Sequence, residues 1–306
     1  MRNILLTYLL IFLTSPIQAQ YSFEESDSNF RLSGKTPGFN YIQKNKTYFQ
    51  PDSVSKEKIW IIKSALQDQG KIWTSPLRIN KKDLLFWVPV ITATALSIKY
   101  DEKIYSDIKD YQSKHKWISD VSPHITYGGD NHFVLYSCGV FYLSGMIFKD
   151  NKAKKTSLMA LQAVAHAGLV VEIGKMLTCR QRPSVDDGKD YWNWFPASLK
   201  KSKGELQSNY DAFPSGHTIA AWSLATVIAR QYKNIKIVPP IAYTYATCVG
   251  LSRITEDTHW LSDVILGASL GYSIGKFMVK TRKDTRWTLL PISWNKNVML
   301  TSVYRF

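Results

Sequence analysis

Cysteine is scarce in this sequence, and its few copies form no pattern. The three cysteines, Cys138, Cys179 and Cys248, are odd in number and widely spaced. Disulfide frameworks and cysteine-based metal sites need closely spaced sets, so the sequence excludes both. Two of the three lie in apolar segments, where an unpaired cysteine behaves as a small hydrophobic residue.

Acidic residues are few relative to basic ones. The chain has 24 Asp and Glu against 39 Lys and Arg, which gives a net charge of +15. Such an excess attracts nucleic acid, phosphorylated small molecules or anionic lipid surfaces. The sequence lacks zinc-finger spacing and basic modules interleaved with aromatic residues. We therefore expect a phosphorylated lipid or small phosphate ester, and a membrane surface, as partners, and no nucleic acid.

The N-terminus has the layout of a secretory signal peptide. Arg2 precedes an apolar run from Ile4 to Leu13, and Ala19 closes a stretch of small and polar residues. This pattern predicts a signal peptide over residues 1–19, with an uncleaved anchor as the alternative. Residues 20–80 are predicted to form a leader with one amphipathic helix.

Six apolar stretches follow, and their lengths and boundaries predict helices rather than strands. They run from Leu84 to Ile98, Phe133 to Phe148, Leu158 to Leu177, Thr218 to Arg230, Ile237 to Leu251 and Trp260 to Val279. The sequence therefore predicts an all-α, six-helix core over residues 81–280. In residues 281–306, apolar residues alternate, and this indicates a short strand-like C-terminal tail.

Two polar insertions, Lys99 to Asn131 and Pro183 to Ala212, separate some of these helices. In the second insertion, the acidic group around Asp190, with Asp186 and Asp187, is predicted to be solvated. The aromatic group Trp192, Trp194 and Phe195 is either core or an amphipathic lip that contacts acyl chains.

The sequence leaves open whether the helices cross a membrane. A spanning helix needs ~20 mostly apolar residues, and most of the six stretches fall short. The mean hydropathy of −0.19 favours an exported globular bundle. The apolar helices and the basic surface nevertheless suit a substrate that is associated with a membrane.

Two cations stand out at the end of the third apolar stretch, which reads Lys175-Met-Leu-Thr-Cys-Arg-Gln-Arg182-Pro183. Lys175 and Arg182 are seven positions apart, which is about two helical turns, so both are predicted to point into one space. Arg offers a planar fork for phosphate oxygens and Lys a compact charge. The alternative is that both cations only compensate the helix macrodipole.

The fourth apolar stretch begins after Phe213-Pro214-Ser215-Gly216-His217. A helix N-terminus with glycine beside it leaves backbone N–H groups free to bind an anion, and His217 could donate a proton near neutral pH. An ordinary N-cap and turn is the alternative.

A third segment runs from Ser252 and Arg253 to His259 and Asp263. His259 and Asp263 are four positions apart at the start of a helix, so we expect them on one face within hydrogen-bond reach. A carboxylate on one ring nitrogen would fix the tautomer and leave the other nitrogen free as a nucleophile. The alternative is a structural histidine.

Together the segments match K-x6-R-P, P-S-G-H and S-R-x5-H-x3-D in order and spacing. This pattern resembles that of the type 2 phosphatidic acid phosphatase (PAP2) and vanadium haloperoxidase superfamily, over about Leu84 to Val279. The resemblance implies a helical bundle of the PAP2 and acid phosphatase type.

The resemblance also implies the roles of individual residues. His259 would be the nucleophile that becomes phosphorylated, Asp263 would orient it, and His217 would protonate the leaving oxygen. The phosphate-binding set would be Lys175, Arg182, Ser215, Gly216 and Arg253. Three cations would replace divalent metals, so no metal and no other cofactor are expected.

We therefore expect an exported phosphatase, periplasmic or membrane-associated, with its active site outside the cytoplasm. It would hydrolyse a phosphate monoester or diphosphate, of a lipid, through a phosphohistidine. Three alternatives stay open: a soluble nonspecific acid phosphatase, a vanadate-dependent haloperoxidase and a helical binding protein without activity.

Overall fold

A computed structural model describes residues 64–185, 189–195, 209–283, 287–294 and 297–304. The chain divides into two units, residues 1–58 and residues 59–306, and the described residues belong to the second. The predicted signal peptide and the leader up to residue 63 lie outside the described residues, as do Asp186 and Asp187.

The described part of the second unit contains eight α-helices and two strands. They are α1 (residues 64–73), α2 (Lys81–Lys114), α3 (Trp117–Thr126), α4 (Asn131–Ile147), α5 (Asn151–Thr178), α6 (Gly216–Gln231), α7 (Val238–Thr255), α8 (Leu261–Lys283), β1 (Trp287–Trp294) and β2 (Asn297–Tyr304). The six helices predicted from apolar stretches correspond to α2 and α4 to α8. The prediction of an all-α bundle is therefore confirmed.

The first polar insertion is helical, which the sequence reading missed. Helix α2 continues past Ile98 to Lys114, and α3 follows after a two-residue break. The apolar run ends at Ile98, but from Lys99 to Lys114 the chain has neither Gly nor Pro and is rich in Lys, Asp and Ile. The apolar pattern therefore ends at Ile98, but the helix continues because no helix-breaking residue follows. The extension carries Asp101, which contacts Arg180 and Ser262.

Helix α6 lies at the centre and packs against α5, α7 and α8. On α8, Gly267, Gly271 and Gly275 face α6 at four-residue intervals. A Cβ on Gly271 would lie 2.6 Å from the carbonyl oxygen of Ile219, so only glycine permits this approach. Small residues in such a stripe let two helix backbones pack closely. The core around this contact contains Met159, Val170, Val227 and Met278.

The tail forms a two-stranded antiparallel hairpin. Strand β1 pairs with β2 so that Trp287 lies opposite Tyr304 and Trp294 opposite Asn297. The alternation of apolar residues therefore predicted the strands correctly.

Among the described residues, two helices, α2 and α5, are by length and composition long and apolar enough to cross a membrane. The apolar window of α2 is only 11% buried, whereas that of α5 is 44% buried. Most of the apolar surface of α2 therefore faces away from the rest of the protein.

We expect Gly271→Ala to lower the free energy of unfolding by about 1–3 kcal/mol, because the added methyl group forces α6 and α8 apart. Gly168→Ala is the matched control, since a Cβ there meets nothing within 4 Å and alanine favours a helix. Thermal unfolding in detergent measures both. Equal melting temperatures for the two variants would contradict the close packing of α6 on α8.

Candidate active site

The three motif segments meet at one end of the bundle, where α5 and α7 end and α6 and α8 begin. Direct hydrogen bonds join them. The Thr178 hydroxyl donates to the carbonyl of Phe213 (3.1 Å), and the Ser215 N–H donates to the carbonyl of Asp263 (3.2 Å). The Trp260 indole donates to the carbonyl of Gln181 (2.8 Å). These bonds hold the segments in one site.

Lys175 and Arg182 come together, but not by the helical geometry that their spacing predicted. Helix α5 ends at Thr178, where Cys179 adopts a left-handed conformation (φ 39°) and stops the helix. Arg182 therefore lies beyond the helix. The two cations meet through Asp211, which accepts hydrogen bonds from Lys175 Nζ (3.2 Å) and from Nε and Nη2 of Arg182 (2.6 and 3.0 Å).

Asp211 is a member of the site that the sequence reading missed. Burial alone would raise the pKa of this carboxyl, but Lys175 and Arg182 beside it outweigh burial and lower its pKa. It is therefore a carboxylate that offsets two cations in the ligand-free protein. An isolated Asp before the Pro-Ser-Gly-His segment gives no sequence signal of this contact.

His259 is buried, and its ring is held by a backbone carbonyl. Nδ1 lies 2.6 Å from the carbonyl oxygen of Ala212 and 3.5 Å from Oδ2 of Asp263. A carbonyl oxygen can only accept, so Nδ1 carries the proton and Nε2 of the neutral ring has a free lone pair. The predicted pairing with Asp263 is therefore the longer of the two contacts, and Ala212 fixes the tautomer.

Burial and the neighbouring cations Arg182, Arg253 and Lys175 lower the pKa of His259 well below its usual value, while Asp211 opposes them. The ring is neutral at physiological pH. A neutral imidazole with an unprotonated Nε2 is the form that attacks phosphorus.

His217 lies in the first turn of α6, against the tight turn before α4. A Cβ on Gly129 would lie 2.7 Å from Cβ of His217, so the turn can approach only because it lacks a side chain. Burial, followed by Arg253 and His259, lowers the pKa of His217 to about 3, and Asp130 opposes the shift. His217 is therefore neutral in the ligand-free site.

Ser215 and Gly216 form the start of α6. The Ser215 side chain does not cap the helix, because its hydroxyl pairs with Oγ1 of Thr218 at 2.8 Å. A Cβ on Gly216 would lie 3.8 Å from Nζ of Lys175. The uncapped start of α6 thus lies beside a cation, an arrangement that suits an anion.

Arg253 supplies the third cation, from the last turn of α7. Its Nη1 donates to Oγ1 of Thr126 (3.2 Å) and lies 3.6 Å from Oε2 of Glu256. Among the described residues, its buried Nε has no hydrogen-bond partner. A buried unpaired donor is costly, and a phosphate oxygen would satisfy it.

Arg180, between the two motif cations, was not singled out from the sequence. It is fully buried and binds Asp190, which was predicted to be solvated. That prediction is wrong for Asp190. Trp192 stacks on Trp194 at 5.0 Å between ring centroids and lies over Arg180, whereas Trp194 and Phe195 are exposed. The aromatic group is therefore part core and part exposed surface.

Over residues 64–185, 189–195 and 209–283, no group of three or more His, Cys, Asp or Glu side chains is arranged to hold a metal ion.

The sequence model of the PAP2 superfamily matches residues 156–287, which include all three motif segments. This stretch of the chain is therefore similar to the PAP2 superfamily. The resemblance drawn from the three motifs is thereby confirmed.

Two curated relatives of this chain are phosphatases by name. Over 136 residues the chain is 39% identical to a lipid A 1-phosphatase of Porphyromonas gingivalis. This match covers 42% of this chain and 29% of that protein. The chain is 26% identical over 162 residues to a probable diacylglycerol pyrophosphate phosphatase of Schizosaccharomyces pombe. This match covers 46% of this chain and 56% of that protein. The chain thus spans from under a third to just over half of these relatives.

Among solved structures, the chain is similar to a transmembrane PAP2-type phosphatidylglycerolphosphate phosphatase from Bacillus subtilis. The identity is 22%, the TM-score is 0.46, and the match covers 64% of this chain and 95% of that one.

The two buried histidines predict how stability depends on pH. An unfolded histidine takes up a proton near pH ~6.5, but His217 and His259 stay neutral in the folded protein well below that pH. For these two histidines the unfolded state binds more protons, so they lower the free energy of unfolding as the pH falls below about 6.5. Asp263 opposes them, because burial raises its pKa to about 7 in the folded protein. We expect a lower melting temperature in detergent at pH ~5 than at pH ~7.5.

In this experiment His217→Gln should show a weaker dependence on pH, because one of the two histidines is gone. His132→Gln serves as the control, since the His132 side chain is 76% exposed, and its slope should match the wild type. A pH dependence of His217→Gln equal to that of the wild type would contradict a buried neutral His217.

Proposed function

We propose that this chain is a metal-independent phosphatase that acts on a phosphorylated lipid through a phosphohistidine intermediate. One observation carries the proposal: a neutral histidine, His259, whose Nδ1 is fixed by the Ala212 carbonyl, lies beside three cations. The named phosphatases among the relatives support the same reaction class.

The proposed reaction has two steps. Nε2 of His259 attacks phosphorus, the bond from phosphorus to the leaving oxygen breaks, and His217 gives that oxygen a proton. Water then attacks the phosphohistidine, gives up a proton to His217 and releases inorganic phosphate. Fixed donors that contact the equatorial oxygens stabilise such a transition state. Lys175, Arg182 and Arg253 would supply them, together with the backbone at Gly216.

His217 must be protonated to act as the general acid, and its low pKa in the ligand-free site reflects burial and the charge of Arg253. A bound phosphate group brings negative charge next to that cation. Opposite charge favours the protonated form of a histidine, so substrate binding raises the pKa of His217.

A lipid substrate is supported by the outer surface of the helices. Helix α2 exposes Leu85, Val88 and Ile91, and α4 exposes Val140 and Ile147. Exposed apolar surface of this extent marks a membrane or a binding partner. We propose that these faces contact lipid and that the phosphate site receives the head group.

His259→Ala should lower kcat by more than about 1,000-fold, because it removes the nucleophile and leaves no covalent route. Inorganic phosphate is measured in EDTA with purified protein, from phosphatidic acid in mixed micelles and from p-nitrophenyl phosphate. His166→Ala is the matched control, a buried histidine roughly 14 Å along α5 from Lys175, and it should keep its activity.

The paired substrates decide the class of phosphatase. Faster hydrolysis of the lipid supports the proposal, whereas equal rates favour a soluble nonspecific acid phosphatase. Loss of all hydrolysis in EDTA, with recovery on adding a divalent metal, would contradict the metal-independent mechanism.

We also propose that the active-site end lies outside the cytoplasm, as the signal-peptide pattern of the N-terminus indicates. Lys189 is exposed near this end, so a Lys189→Cys variant should react with a membrane-impermeant maleimide on intact cells. The wild type, in which Cys138 and Cys179 are buried, gives the background. Labelling only after lysis would place this end inside.

A further inference from the structure

Arg180 lies between the motif residues Lys175 and Arg182 and shares their charge, yet its surroundings differ. Its side chain is 0% exposed, and it lies behind the site, next to Asp263 rather than Asp211. We propose that Arg180 is a positioning residue of the phosphatase, which holds Asp263 and through it His259 in the orientation for attack. This inference rests on the proposed function.

Every N–H group of Arg180 is already used. Nε donates to Oδ1 of Asp190 (2.8 Å), and Nη2 donates to Oδ2 of Asp190 (2.6 Å) and of Asp101 (2.8 Å). Nη1 donates to the Ser262 hydroxyl and to Oδ1 of Asp263, both at 2.5 Å. A guanidinium has five N–H donors, so none is left for a phosphate oxygen.

Aromatic rings fix the plane of this guanidinium. Its central carbon lies 4.5 Å from the centroid of the Trp192 ring and 5.2 Å from that of Trp260. Cation–π contact of this kind restrains Arg more than Lys, because the guanidinium is planar. The orientation of Arg180 is therefore set before any substrate arrives.

Arg180 joins three parts of the chain that are distant in sequence. Asp101 comes from the extension of α2, Asp190 from the second polar insertion and Asp263 from the first turn of α8. Ser262 strengthens the junction, because its hydroxyl also donates to Asp101. The first turn of α8 therefore cannot rotate without breaking several charged contacts at once.

Asp263 passes this restraint on to the nucleophile. One oxygen, Oδ1, is held by Arg180, while Oδ2 accepts from the Trp260 N–H (2.8 Å) and lies 3.5 Å from Nδ1 of His259. Burial raises the pKa of Asp263, and Arg180 opposes this shift. Loss of Arg180 would thus both release the carboxylate and favour its neutral form.

The test uses Arg180→Lys in the full-length protein. Lysine keeps the charge, but with three donors it cannot replace five planar contacts. We expect kcat for phosphatidic acid to fall about 10- to 100-fold, as is typical when a residue that supports a catalytic group is changed. KM and the inhibition constant of inorganic phosphate should stay within about two-fold, because Arg180 has no donor for phosphate.

A double-mutant cycle with Asp263→Asn separates positioning from general stability. If Arg180 acts through Asp263, the double variant should be little slower than the worse single variant. If the double variant instead loses kcat by the product of the two single losses, the proposal is wrong. A wild-type kcat for Arg180→Lys would also overturn it. A rise in the phosphate inhibition constant would instead make Arg180 a phosphate ligand.

Two further variants keep the test decisive. Arg282→Lys alters another Arg–Asp pair, in which Arg282 is partly buried and lies 2.6 Å from Asp68, roughly 28 Å along α8 from Asp263. It should change the melting temperature without changing kcat. If Arg180→Lys does not fold, Asp190→Asn weakens the same cluster from the loop and should lower kcat at constant KM; an unchanged kcat there also refutes the inference.

The activity of the wild type shows whether a negative result contradicts the positioning role or the proposed function on which it rests. A wild type without His259-dependent hydrolysis contradicts the phosphatase itself. An active wild type with unaffected Arg180 and Asp190 variants contradicts only the positioning role.

Discussion

The structure of the active-site end depends on one constraint. Lys175, Arg182 and Arg253 are three cations that repel one another in a site with little water. Charges at such distances interact strongly where water is excluded. Asp211 offsets Lys175 and Arg182 through short contacts, and Glu256 lies near Arg253. The segment that carries Asp211 also carries the Ala212 carbonyl that holds His259. The segment that offsets the charge of Lys175 and Arg182 thus also places the carbonyl that fixes the His259 ring.

The charges form two layers with His259 between them. One layer has an excess of cations, and the other, around Arg180, has three carboxylates on one guanidinium. On the proposed function, a positive charge develops on the His259 ring as Nε2 bonds to phosphorus. The carboxylate of Asp263 near Nδ1 favours that charge, while the cations favour the phosphate. Each layer stabilises one partner of the reaction.

The sequence predicts the helices well because apolar runs of this length have few other solutions, and it predicts the motif residues because their spacing is distinctive. It fails where geometry depends on a single backbone state or on distant partners. Nothing in the composition shows that Cys179 ends α5 in a left-handed turn, so Arg182 was placed on the helix. Arg180 and Arg182 have the same chemistry in sequence, and only their distant partners, Asp263 and Asp211, separate them.

Burial, together with the same repulsion, explains the unusual state of His217. A protonated ring would be a further cation beside Arg253, and burial removes the water that would screen it. The ligand-free site therefore keeps His217 neutral. On the proposed function, a bound phosphate dianion offsets the cations and lets His217 take a proton, so binding and protonation are linked. In the proposed mechanism the general acid is charged only when there is a leaving group to protonate, and the empty site avoids a charge that it could not stabilise.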